Sequence, residues 1–251
     1  MTIKTIDDAR NLYVRAADLA REVLPRLQGA EAPRGWWPES QSEATVLSHA
    51  VAIRWAAEIP LEEHPRFLCM NTGRSKDGLS PTAKQALLTT GKIPVFNKDA
   101  GQPGLCFLRG EAMLDMVVFP DPTVVTAGAA RTVALLTVES ETHAHHGVGD
   151  AISRYANGYA WDFFKLVWLP SPRRLFIARV GALKGATESA RIETLRKSLD
   201  RIVGNYPFAF AADDVLVVII LAETKPQESV IKVMVGGKVD AGSAWARLFP
   251  Q

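Results

Sequence analysis

Three acidic residues, Asp115, Glu139 and Glu141, are spaced so that one β-hairpin would bring their carboxylates together. Asp115 directly precedes the apolar run Met116-Val117-Val118-Phe119, and the two glutamates end the run 132–141. We expect these runs to pair antiparallel, with the start of the first beside the end of the second. Alternate strand residues share a face, so both glutamates would lie on the same side. Converging carboxylates repel one another, which predicts a hard divalent cation between them: Mg²⁺, with Mn²⁺ as a substitute.

The order of these residues along the chain resembles that of the PD-(D/E)XK nuclease superfamily over residues 110–180. Asp115 precedes one strand, the triplet Glu139-Ser140-Glu141 ends the next, and a helix and a further strand follow. The resemblance implies an α/β restriction-endonuclease-like core, a central mixed β-sheet flanked by helices, and Mg²⁺-dependent hydrolysis of phosphodiester bonds in double-stranded DNA. It also implies that Asp115 and Glu139 hold the metal. Glu141, the third acid at the metal, would position or deprotonate the attacking water. Leu114 stands where the family often has proline, and Glu141 stands where its lysine usually lies.

A literal Pro-Asp pair, Pro120-Asp121, competes with Asp115 for the first metal ligand. Asp121 lies in the expected turn, whereas Glu139 lies at the far end of the returning strand. At ~3.3 Å per residue, about six residues separate the two by roughly 20 Å, which excludes a shared ion. We interpret Asp121 as a turn residue between two prolines.

Lys165, on the helix expected after Glu141, has two interpretations. Its ammonium group could take over the charge-stabilising role of the missing lysine. Alternatively, its stem covers Phe163 and Trp168 while the charge stays in water, as surface lysines commonly do. Glu43 could add an outer carboxylate, although the helix macrodipole is sufficient reason for an acid at a helix start.

The segment His143-Ala144-His145-His146 suggests a different chemistry, because alternate histidines after a strand can ligate zinc. Together with Thr142 it resembles the opening of the metallo-β-lactamase motif. Gly147 and Val148 stand where the Asp and His that complete that motif belong. A zinc-dependent hydrolase using His143, His145 and His146 is therefore the third alternative. The second is a non-catalytic nucleic-acid-binding or assembly protein on the same fold.

Basic residues in irregular segments and near the acidic strand are candidates for DNA contacts. The net charge is only +2, so this interpretation depends on local patches. By analogy we expect a homodimer, because two sites related by a two-fold axis suit the cutting of both strands. The candidate nucleic-acid contacts are Arg74, Lys76, His143, His145, Arg173 and Arg174.

Composition indicates an ordinary globular protein: 251 residues, 47% hydrophobic and 22% charged. Cys69 and Cys106 form no CxxC pair, which favours reduced thiols and a cytoplasmic location. No apolar run reaches membrane-spanning length, and the N-terminus has no secretory signal pattern. We divide the chain into a helical and loop region, 1–104, that could contact DNA, and a nuclease-like core, 105–251. The two could also form one continuous domain.

Hydrophobic periodicity predicts helices and strands in an α/β order. The predicted helices are 6–27, 42–58, 81–89, 148–166 and 187–203, the last with Gly204 as its C-cap, and the predicted strands are 115–119, 132–141, 173–180, 215–221 and 230–235.

Overall fold

A computed structural model describes residues 3–23, 38, 40–59, 67–70, 114–119, 134–149, 158–238 and 244–250. Four α-helices and seven β-strands lie within these ranges. The helices are α1 (Ile6–Val23), α2 (Gln41–Glu58), α3 (Tyr159–Trp168) and α4 (Glu188–Asn205). The strands are β1 (Phe67–Met70), β2 (Met116–Phe119), β3 (Leu136–Glu141), β4 (Arg173–Val180), β5 (Val215–Ala222), β6 (Val230–Val235) and β7 (Ala246–Arg247).

The seven strands form one mixed sheet in which spatial order follows chain order. The β1–β2–β3 and β5–β6–β7 pairings are antiparallel, whereas β3, β4 and β5 run parallel. Parallel neighbours need a crossover, and α3 and α4 supply the two crossovers. Every residue of β5 is buried, as its continuous apolar sequence predicts. The predicted α/β fold, a mixed sheet flanked by helices with a helix at the N-terminal side, is confirmed.

Alternating strand residues divide the interior into two hydrophobic cores. Val138 and Ile177 belong to the core beneath α1 and α2. Phe176 belongs to the core beneath α3 and α4, where its ring meets that of Phe163 edge-on at 5.2 Å. The helix expected after the hairpin therefore packs on the sheet, as the predicted flanking helices imply. Among the described helices, none combines the length and apolar character needed to cross a membrane.

Two predicted helix boundaries are wrong. Helix α3 begins at Tyr159 rather than near 148, because its N-cap, Gly158, is extended and forms a parallel bridge with Gly147. Gly204 is not the C-cap of α4, which continues through Asn205 and is capped at Tyr206. The residue after that cap is a proline, which has no N–H to continue the helix.

The predicted antiparallel pairing of the acidic hairpin is confirmed, with Met116 opposite Val138 and Val118 opposite Leu136. The predicted helix 81–89 and the turn at 120–122, with Asp121, lie outside the described residues. The division at 104/105 stays a prediction, although α1 and α2 share one hydrophobic core with the sheet.

Candidate active site at the end of the third strand

The hairpin register brings Asp115 and Glu139 together. Met116 pairs with Val138, so continuing the register by one residue places Asp115 opposite Glu139. Directly opposite residues of an antiparallel pair share a face. Ser140, the next residue of β3, donates to Oδ2 of Asp115 through its N–H at 2.7 Å and its Oγ at 3.2 Å. Asp115 is therefore held against the end of β3.

Lys165 completes this cluster from α3. Its Nζ lies 2.7 Å from Oε1 of Glu139 and 2.8 Å from Oδ1 of Asp162. The Glu139 side chain is only 2% exposed and that of Lys165 only 14%. The interpretation that Lys165 merely covers apolar surface with its charge in water is therefore wrong. The lysine ammonium reaches from the helix to the acids at the end of β3.

Negative charge exceeds positive charge in this cluster. Burial raises the pKa of Asp115, and the Ser140 N–H, Lys165 and His49 offset only part of that rise. Burial, reinforced by Asp115, raises the pKa of Glu139 well above its ordinary value despite the contact with Lys165. For Lys165, burial opposes the charged form, but Glu139 and Asp162 outweigh it and raise the pKa. Among the described residues, the positive charge of Lys165 thus offsets only part of the cost of burying these carboxyls.

Glu141 lies on the same face of β3 as Glu139, but its side chain contacts the loop that follows the strand. It accepts a hydrogen bond from the N–H of His143 at 2.8 Å, and its Oε2 lies 3.0 Å from Nδ1 of His146. Burial raises the pKa of Glu141 to about 8, with Asp162 and Asp115 acting in the same direction. Glu141 therefore joins the acidic cluster to the histidine loop.

The three loop histidines do not converge on one point. The rings of His143 and His146 stack with centroids 5.1 Å apart. The His145 side chain is 60% exposed, and its Nε2 lies 4.0 Å from Glu223 rather than beside Glu141. A zinc site made of His143, His145 and His146 is therefore inconsistent with the structure, because consecutive loop residues point in different directions.

Two further residues at the site were not assigned a role from sequence. Asp162 precedes Lys165 by three residues on α3, a spacing that places side chains on one helix face and could have identified the pair. His49, on α2, lies close enough to Asp115 to lower its pKa against the effect of burial. Its Nδ1 lies 2.7 Å from the backbone oxygen of Thr45, a geometry in which Nδ1 donates.

Helix α2 contributes a polar stripe at four-residue spacing, Gln41, Thr45 and His49. Gln41 contacts His143, and the hydroxyls of Thr45 and Thr142 lie 3.1 Å apart. Polar residues at this spacing in an otherwise buried helix are the signal that could have identified His49. Glu43, the candidate outer carboxylate, is buried in the first turn of the same helix.

The candidate DNA contacts have different surroundings. Arg174 is fully buried, and it donates to the oxygens of Leu166 and Ala209 and to Asp214. Its assignment as a nucleic-acid contact is wrong, because these bonds occupy the guanidinium inside the protein. Arg173 is partly exposed, but it lies at the beginning of β4, away from the end where Glu141 pairs with Ala178. His143 and His145 are exposed beside the acidic cluster, and Arg74 and Lys76 lie outside the described residues.

Comparison of the chain with protein-family models, curated proteins and solved structures finds no match. The functional interpretation therefore depends on the site itself.

Proposed function

We propose that this protein is a Mg²⁺-dependent endonuclease that hydrolyses phosphodiester bonds in double-stranded DNA, with Mn²⁺ able to replace Mg²⁺. The observation that carries this proposal is the contact of Lys165 with Glu139 at 2.7 Å, beside Asp115. An acid before one strand, an acid at the end of its partner and a lysine would then share one site. In the resemblance the lysine belongs to the strand, whereas here it comes from α3.

The order of elements supports the same proposal. Helix α2, the β1–β2–β3 antiparallel unit, helix α3 and the parallel strand β4 follow one another along the chain. This is the helix, hairpin, helix and strand order implied by the resemblance to PD-(D/E)XK nucleases. A restriction-endonuclease-like core and a homodimer acting on both strands belong to this proposal.

The acidic cluster also suits a hard divalent cation. Asp115 and Glu139 provide carboxylate oxygens, the ligand type that Mg²⁺ prefers. Both have raised pKa values because of burial, so their ionised forms are disfavoured until a cation compensates them. A bound ion would lower the pKa of a water and neutralise charge at the phosphate.

The remaining roles fall to side chains of this chain. Asp115 and Glu139 would hold the ion, with Asp115 fixed by its hydrogen bonds from Ser140. Lys165 would stabilise negative charge developing on the phosphate, since its raised pKa keeps the ammonium protonated. Glu141, two residues after Glu139 on the same strand, would orient or deprotonate the attacking water.

Cleavage of supercoiled plasmid DNA tests this proposal. Wild type should cut in Mg²⁺ and be silenced by EDTA, and Asp115→Asn and Glu139→Gln should each lower the rate by about 10³-fold or more, within the range for groups that stabilise a transition state. Glu193→Gln is the matched control, because it removes the same charge from a half-exposed glutamate on α4. Binding measured by gel shift should persist in Glu139→Gln, since loss of an acid lowers repulsion of phosphate.

Two outcomes would contradict the proposal. Undiminished cleavage by Glu139→Gln would remove this carboxylate from the chemistry. Binding without cleavage by wild type, across plasmid and genomic DNA in both Mg²⁺ and Mn²⁺, would favour the non-catalytic alternative.

A further inference from the structure

A second set of ligand-type side chains lies around Glu141. One carboxylate oxygen of Glu141 lies 3.0 Å from Nδ1 of His146, and the other lies 3.6 Å from Nδ1 of His143. Each of the three residues offers one ligand atom, and these atoms lie within 4.8 Å of one another. We infer that Glu141, His143 and His146 bind a borderline-soft divalent ion of the Zn²⁺ class, at a site separate from the carboxylates Asp115 and Glu139.

The ligand types and spacings suit this class of ion. Zinc bonds to imidazole nitrogen and carboxylate oxygen are about 2.0–2.1 Å long, so neighbouring ligand atoms of a tetrahedral site lie about 3.3 Å apart. The distances of 3.0 and 3.6 Å join His146 and His143 to different oxygens of Glu141, and one ligand atom from each of the three residues fits within 4.8 Å. His143 is 58% exposed, so its ring can turn through solvent to close the remaining gap to His146. Three protein ligands would leave a fourth position for water.

Gln41 lies against the ring of His143, with its Nε2 3.0 Å from Nδ1 and 3.4 Å from Nε2 of the imidazole. Nδ1 also lies 3.6 Å from Oε1 of Glu141. A neutral imidazole has one nitrogen with a free lone pair, and that nitrogen is the one that binds a metal ion. His143 would therefore exchange its contact with Gln41 for the ion when the site is occupied.

The loop that carries the two histidines is held by the rest of the protein. The hydroxyl of Tyr159 donates to the backbone oxygen of His143 at 2.8 Å. The buried guanidinium of Arg191 donates to the backbone oxygens of Ala144, at 2.9 Å, and of His146. These donors come from α3 and α4, so two helices fix the loop. A loop already ordered loses little conformational entropy when its side chains bind an ion, which favours binding.

Occupation of this site would have a consequence for catalysis. Glu141 is the acid assigned to the attacking water, and an ion bound between it and the histidines would draw its carboxylate away from that water. Zn²⁺ would therefore inhibit Mg²⁺-dependent cleavage. This consequence rests on the proposed nuclease activity, whereas zinc binding itself does not.

Metal titration of the full chain tests the site directly. After EDTA treatment and buffer exchange, Zn²⁺ is titrated in competition with a chromophoric chelator, and Co²⁺ is added separately to record its visible absorption. Wild type should bind one equivalent of Zn²⁺ and give the intense visible absorption of tetrahedral Co²⁺. His143→Ala and His146→Ala should each weaken zinc binding by at least about 30-fold, as expected for the loss of a ligand.

His145→Ala is the matched control, because it removes an exposed histidine of the same loop that points towards Glu223. It should change zinc affinity by less than about 3-fold, the effect of removing a residue that makes no contact with the ion. Equal zinc affinity in wild type and both ligand variants would overturn the inference. Loss of zinc binding in Asp115→Asn but not in His143→Ala would also overturn it, by placing the ion at the other carboxylates.

The catalytic consequence is measured as the ratio of cleavage rates with and without Zn²⁺ at fixed Mg²⁺. The ratio should fall well below one in wild type and stay near one in His143→Ala. An equal fall in both proteins would overturn the inhibitory role. Intact zinc binding with no cleavage under any condition would contradict the proposed nuclease and leave the zinc site supported.

Discussion

Two glutamates are buried to the same degree in this molecule but have opposite surroundings. Glu188, at the start of α4, is 3% exposed. Its carboxylate accepts from the N–H and hydroxyl of Thr224, at 3.0 and 3.1 Å, and from the N–H of Lys225, at 3.1 Å. Glu139 is 2% exposed, and its partner is the ammonium of Lys165, which also contacts Asp162.

The difference separates a structural acid, Glu188, from Glu139, the acid for which we propose a function. Three donors around one carboxylate replace the water that Glu188 loses on burial, and the helix N-terminus adds a favourable dipole. At the end of β3, Lys165 forms ion pairs with both Glu139 and Asp162. Asp115 raises the pKa of Glu139 further. Such an excess of buried negative charge is unfavourable for folding alone, and it makes the site receptive to a cation.

The largest expected effect concerns Lys165, the cation of the unbalanced site. Lys165→Met removes the ammonium group while keeping a side chain of similar length. We expect the rate of DNA cleavage in Mg²⁺ to fall by about 10³-fold, the loss typical of one electrostatic group at the transition state. Single-turnover cleavage measures it, with Lys197→Met, an exposed lysine on α4, as the control. A rate within about 3-fold of wild type would assign Lys165 a structural role only.

The second prediction contrasts the two glutamates in stability. Glu188→Ala should lower the free energy of unfolding by about 2–4 kcal/mol, because donors of Thr224 and Lys225 lose their acceptor. Glu139→Gln should leave the stability of the metal-free protein unchanged or raised, since it removes a charge that burial disfavours. Urea unfolding in EDTA at pH 7.5 measures both variants. A loss in Glu139→Gln as large as that in Glu188→Ala would show that the two sites do not differ.

The third prediction follows from the pKa of Glu141, raised to about 8 from an ordinary 4.5. Between these values the folded protein keeps a proton that the unfolded chain releases, so the stabilising contribution present below pH 4.5 is lost as pH rises towards 8. Each tenfold change in proton affinity is worth about 1.4 kcal/mol, so we expect a loss of at least about 2 kcal/mol between pH 5 and pH 8 in EDTA.

Glu141→Gln isolates this contribution from that of His146. Burial lowers the pKa of His146, so its effect has the opposite sign and is lost as pH falls. Unfolding experiments across this pH range should therefore give a flatter profile for Glu141→Gln than for wild type on the alkaline side. Parallel profiles for the two proteins would contradict the assignment.

The smallest effect is expected at His145. Its side chain is exposed and points towards Glu223, so His145→Ala should change the cleavage rate by less than about 3-fold, within the range of surface substitutions. The same cleavage assay applied to Asp115→Asn gives the large loss of rate with which the effect of His145→Ala is compared. Loss of cleavage in His145→Ala would contradict the placement of this residue outside the site.

The acidic hairpin shows what local sequence patterns can predict. The antiparallel pairing of β2 with β3 and the meeting of Asp115 with Glu139 follow from alternation and register, and the structure confirms the pairing. Stretches rich in apolar and β-branched residues likewise predicted β4, β5 and β6 within a residue of their ends. These features depend on neighbours along the chain or across one hairpin.

The remaining features depend on how distant elements pack. The approach of His49 to Asp115 is set by where α2 crosses the sheet, which no local pattern specifies. Arg174 is a basic residue, which made it a candidate DNA contact. Its burial follows from the packing of α3 and the Ala209–Asp214 segment around it. The separation of His145 from its neighbours depends on the turn geometry of one loop.

Calorimetric titration of the metal-free protein with Mg²⁺ and Mn²⁺ tests the central claim, that the unbalanced carboxylates at the end of β3 form a divalent-cation site. Wild type should bind either ion with a Kd of about 1 mM or tighter, the range of sites that combine few carboxylates with water. Asp115→Asn should bind at least about 10-fold more weakly, whereas the surface variant Glu193→Gln should match wild type. Equal affinity of wild type and Asp115→Asn for both ions would contradict the account.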